Sequence, residues 1–136
     1  MNEDDSLERY GLRPEGDDLK EVRRLLRAHT ERERRAQGDG DTLLMRLCCV
    51  QLFNAGHLDD VLLVWGAKTA SMDAFCSIDV QLLCGAGLSE TRAHLAAQDG
   101  PEAAAALRRV DECDEAGDFE SFTAEEWSAR YADHYA

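Results

Sequence analysis

LLMRLCCVQLFNAGHLDDVLLVWGAKTASMDAFCSIDVQLLCGAGLSETRAHL, residues 43–95, holds most of the apolar mass of the chain and four of its five cysteines. Leu44, Leu47, Cys48, Leu52 and Ala55 recur there at three- and four-residue steps, while Leu43, Val50 and Phe53 populate a second face. A helix apolar on most of its sides is a central one. Asn54-Ala55-Gly56 breaks it. The next helix is expected to open at His57 or Leu58, with Asp59 and Asp60 in its first turn, where acids oppose the positive helix end. Leu58, Val61, Leu62 and Trp65 form its stripe. The run 61–65 (VLLVW) and the run 78–83 (IDVQLL) have compositions that suit a strand or a helix. Length, flanking charge and neighbours favour helix in both.

Residues 51–68 (QLFNAGHLDDVLLVWGAK) echo residues 81–98 (QLLCGAGLSETRAHLAAQ) at an offset of about 30 residues, a period used by helical-hairpin repeats. Gln51 falls on Gln81, Leu52 on Leu82, Leu58 on Leu88 and Ala67 on Ala97, with Asp60 on Glu90. Each copy runs apolar residues into a small-residue break, then a capping residue, then a second periodic run. Such hairpins cannot bury their apolar faces alone, so neighbours must stack. The expected architecture is all-α: six to seven helices, their hairpins stacked as a short solenoid or an irregular bundle.

Outside this centre the boundaries are local. Residues 1–16 are polar, with Gly11, Pro14 and Gly16, and are expected as a flexible lead-in to a single helical domain, 17–136. Asp17 or Asp18 is expected to cap the first helix, whose stripe is Leu19, Val22, Leu26 and His29. Residues 31–35 (ERERR) are expected as its exposed last turns, ended by Gly38-Asp39-Gly40. Asp41 or Thr42 opens the central helix. In 69–77, Asp73 is the expected cap of a short turn. Ser89 or Glu90 starts another helix, and Pro101 suits a first helical position because its missing N–H is no loss there. Residues 123–126 (TAEE) fit a capping box, and Trp127, Tyr131 and Tyr135 then form an aromatic stripe closing the core.

The chain has 136 residues, enough for one domain. Its formal net charge is −13, which opposes binding to nucleic acid or to an anionic membrane surface. The charge is uneven. Residues 17–35 carry Lys20 and six arginines, whereas 111–136 carries nine acids against Arg130 alone. The five cysteines are odd in number and lack CxxC spacing, and residues 1–5 are polar and acidic. The expectation is a cytoplasmic protein with reduced thiols, no disulfides, no cofactor and no metal.

Two sets of residues are candidates for function. Trp65, Lys68, Asp73, Asp79 and Gln81 interrupt an otherwise apolar region. Lys68 at one helix end and Asp79 at the next helix start are placed to face each other across a turn, as a ligand or partner pocket or as a buried ion pair. Asp111, Glu112, Asp114, Glu115, Asp118 and Glu120 form the candidate partner surface. No catalytic residue is assigned. A Cys–His–Asp arrangement from Cys76 or Cys84 with His57 or His94 lacks a supporting signature, and zinc ligation by Cys76, Cys84, His94 and Cys113 lacks the usual spacing. The glycines at 38–40 and 85–87 lack the lysine of a phosphate loop.

The words LLVWGAK (62–68) and SIDVQLLCGAG (77–87) resemble a family of small, uncharacterised bacterial proteins in which a tryptophan–x–alanine–lysine segment precedes an aspartate–x–glutamine segment. The resemblance covers the middle third of the chain and implies no activity. The expected role is a cytoplasmic protein-binding or adaptor module, with an immunity-type inhibitor as its specific form. The alternatives are a small-ligand binder or enzyme built on the Trp65–Gln81 residues, and a homodimer closed through the Trp127 stripe.

Overall fold

A computed structural model describes residues 1–136. It is all-helical and has no strand, with eight α-helices where six to seven are expected. They are α1 (Glu3–Tyr10), α2 (Gly16–Arg35), α3 (Thr42–Ala55), α4 (Val61–Lys68), α5 (Met72–Ser77), α6 (Leu88–Ala97), α7 (Pro101–Glu115) and α8 (Ala124–His134). Two 3₁₀ segments, Leu58–Asp60 and Val80–Cys84, complete the chain. VLLVW is therefore helical; of IDVQLL, Ile78 and Asp79 are extended and the helix, in the tighter 3₁₀ form, begins only at Val80.

The extra helix is α1, standing where a loose lead-in is expected. Asn2 and Asp5 cap it reciprocally, each side chain accepting from the other's backbone N–H. Its apolar content is low, so its stability comes from docking: Ser6 and Tyr10 are buried, and α1 packs on α3. Buried Gln51 of α3 fastens the following loop, its amide donating to the Gly11 carbonyl at 2.7 Å.

Helix α3 is the centre of the molecule. Nine of its fourteen residues are buried, and α1, α2, α4, α5, α8 and the Val80–Cys84 turn all pack against it. In a solenoid each unit meets only its neighbours; here one helix meets elements from both ends of the chain. Asp41 caps α3 by accepting from the Leu44 N–H, and Gly56, in the left-handed region at φ 69°, ends it. A single cluster of 29 buried residues forms the core.

The loop after α2 depends on two residues expected at the surface or on a helix stripe. Glu33 is buried and accepts from the Gly38 and Gly40 N–H groups and from the Ser71 hydroxyl, the last at 2.6 Å. His29 accepts from the Asp41 N–H through Nδ1 at 3.1 Å. A Cβ on Gly40 would lie 2.5 Å from the His29 carbonyl oxygen, so glycine is required there. Ser71, not Asp73, caps α5, and α2 starts after Glu15 with no side-chain cap, leaving Asp17 and Asp18 in its first turn. Asp60 lies in a buried bidentate pair with Arg23, at 2.8 and 2.9 Å, that ties α2 to the start of α4.

All five cysteines are unpaired, and only Cys76 is exposed. Burial pushes the Cys48 and Cys84 thiols up to about 12 and raises those of Cys49 and Cys113, so these four behave as small apolar groups. No helix is long and apolar enough to cross a membrane.

Candidate functional site

Lys68 ends α4 on its buried side. Its Nζ donates to the Phe75 carbonyl at 2.7 Å and to the Ile78 carbonyl, and lies 4.2 Å from the centre of the Phe75 ring. An ammonium satisfied by carbonyls and an aromatic face clamps the C-terminal end of α5 to α4. Burial, with the nearby Arg109 guanidinium, pulls the Lys68 pKa down.

Asp79 does not pair with Lys68. Its carboxylate accepts from the Tyr131 hydroxyl at 2.5 Å, and the Arg46 guanidinium stands 3.8 Å away. Tyr131 is itself buried, edge-on to Phe53 at 6.2 Å and tilted against Trp127 at 6.1 Å. Burial and the Asp79 bond raise its phenol pKa. The aromatic stripe of α8 thus seals the core through Tyr131, which latches α8 to the segment before the Val80–Cys84 turn.

The remaining residues of this set diverge. Gln81 is buried and donates to the Asp118 carbonyl at 2.8 Å, fastening the loop after α7. Gln51 and Gln81, paired in the sequence echo, each donate to the carbonyl of a loop distant in sequence. Trp65 is a core residue, and Asp73 is exposed at the start of α5. None of the five lines any of the five principal cavities. The structure brings Lys68, Asp79 and Gln81 to one region and engages each in holding elements together.

The acidic set is also divided by its partners. Arg92 bridges Asp111 at 3.0 Å and Asp114 at 3.3 Å, tying α6 to α7. Glu112 lies 3.8 Å from Arg109. Glu115, Asp118 and Glu120 are exposed, and no cation reaches them. Glu125 and Glu126, in the first turn of α8, extend the same acidic segment. This segment is ordered from within. Phe119 is buried and stacks edge-on with Phe122 at 5.3 Å. The Asp118 N–H donates to Cys113 and the Glu120 N–H to Gly117. Thr123 caps α8 through the Glu126 N–H.

One polar network is not visible in local sequence. Arg13 donates to Ser128 at 2.8 Å, Ser128 donates to the Asn54 side-chain oxygen at 2.7 Å, and the Asn54 amide donates to the Leu12 carbonyl at 2.8 Å. It joins the loop before α2, the end of α3 and α8. Its members lie 42 to 115 positions apart, and no spacing rule reaches that far. No group of three or more His, Cys, Asp or Glu side chains is placed to hold a metal ion.

Comparison with protein-family models, with curated proteins and with solved structures finds no match.

Proposed function

We propose that this chain is a protein-binding module that captures a basic partner through the acidic segment between α7 and α8. One observation carries the reading: Glu115, Asp118, Glu120, Glu125 and Glu126 stand without internal cations on a segment anchored to the core by Phe119 and Gln81. Carboxylates fixed in advance lose little freedom on meeting a partner, so charge complementarity there raises both association rate and specificity. An immunity-type inhibitor, which covers the basic site of a toxin, is the specific form of this role. Five unpaired thiols favour a reducing compartment such as the cytoplasm.

Cross-linked capture by the full chain from cells of its native source tests this. A basic protein is expected to be recovered, and to be lost in the triple variant Glu115→Gln, Asp118→Asn, Glu120→Gln. Recovery should also fall steeply with ionic strength. An unchanged set of captured proteins in the triple variant would sink the reading.

A further inference from the structure

We propose that the groove between α2 and α4 is a second docking site, which takes an acidic, leucine-bearing peptide segment of a partner protein. The groove encloses about 490 Å³ and is open to solvent. Arg27, Thr30 and Arg34 line one wall, and Leu62, Leu63 and Gly66 form the floor and the other wall. Positions 27, 30 and 34 are three and four residues apart and so share one side of α2.

On a chain with 28 acids against 15 lysines and arginines, the groove holds two arginines that no carboxylate pairs. Along α2, Arg23 is paired with Asp60, Arg24 with Glu21 and Arg35 with Glu31. Glu31 and Arg35 also border the groove and neutralise each other at 2.6 Å. Arg27 has no carboxylate within ion-pair distance, and the side-chain contact of Arg34 is the Gly66 carbonyl at 3.2 Å. The two guanidiniums, on one side of α2, therefore present most of their donors to solvent beside two half-buried leucines.

That combination specifies the ligand. Guanidiniums bind carboxylates in a two-pronged geometry, and the leucine floor takes apolar side chains at neighbouring positions. The glycine at 66 lets a partner approach the α4 backbone, since a Cβ there would meet only the end of Arg34 at 3.6 Å. An isolated small molecule would be poorly enclosed here, because ligand pockets bury most of a small ligand. A nucleic-acid strand needs a longer run of cations.

The test is fluorescence anisotropy on the full chain with a labelled amphipathic peptide of glutamate and leucine. A peptide of the same length with glutamine for glutamate is the comparison. The glutamate peptide is expected to bind at least about tenfold more tightly than the glutamine one. Arg27→Glu and Arg34→Glu, both at exposed positions, should each weaken it about tenfold or more with an unchanged circular-dichroism spectrum. Gly66→Leu fills the groove without altering charge and should abolish binding. The triple acidic-segment variant should bind the peptide normally, which separates this site from the one proposed above. Equal affinity for both peptides, or indifference to Arg34→Glu and Gly66→Leu, would overturn the proposal. So would self-association of the wild-type chain that these variants abolish, since the occupant would then be a second copy.

Discussion

Glu33 is a carboxylate with no cation beside it and three donors around it. The Ser71 hydroxyl, with the Gly38 and Gly40 N–H groups, holds its pKa below the ordinary 4.5, outweighing the opposing effect of burial. It links the end of α2, the loop after it and the cap of α5, since the same Ser71 oxygen accepts from Ala74. Glu33→Ala leaves those donors enclosed and should cost about 2–4 kcal/mol in urea unfolding at neutral pH. Two residues here make stability depend on pH, and both act in the same direction. Burial, with Arg32 nearby, lowers the His29 pKa below 6.5. The unfolded chain therefore takes up that proton first, and stability present above 6.5 is lost as pH falls through the lower folded value. Glu33 adds stability that is present above 4.5 and is lost as pH falls through its own depressed value. Unfolding measured from pH 8 to pH 3 should show two successive declines. His29→Gln, which keeps an acceptor for the Asp41 N–H, should remove the upper one and leave the lower.

At the scale of elements, the 3₁₀ turn Val80–Cys84 sets how closely the second half of the chain approaches α3. Gly85 follows it at an ordinary φ of −61°, yet a Cβ there would lie 2.3 Å from the Phe53 carbonyl oxygen and 2.9 Å from the Phe53 Cα. Backbone meets backbone, so neither side can yield cheaply. Gly85→Ala should destabilise by about 1–3 kcal/mol, through overpacking alone, measured by thermal melting. This contact also shows what sequence reading reaches and what it does not. The ends of α3 and the start of α7 at Pro101 are legible, because capping is chemistry between residues a few positions apart. The helical state of VLLVW is legible from its length and flanks. The 3₁₀ form of residues 80–84 is not, because five residues are too few to separate a period of 3.0 from one of 3.6. Helix α1 is missed because its sequence is polar and its reason to form lies in α3. Lys68 and Asp79 are legible as special, but their partners, the Ile78 carbonyl and Tyr131, lie 10 and 52 positions away.

Over the whole molecule, 28 acids surround one core, and their mutual repulsion opposes compaction. Raising salt from about 20 mM to about 500 mM shortens the Debye length from roughly 20 Å to roughly 4 Å, and the melting temperature should rise accordingly. The pairs at Arg23–Asp60 and Arg92–Asp111 are local and should resist this screening better than the repulsion does. A fall in melting temperature with salt would mean that such pairs, rather than repulsion, dominate the charge balance. The distribution of sulfur has a practical outcome. Since Cys76 alone meets solvent, air oxidation of the native protein can join only one molecule to another. Ageing without reductant should thus yield covalent dimers on a non-reducing gel, and Cys76→Ser should prevent them. Such dimers would report storage chemistry, not a physiological assembly.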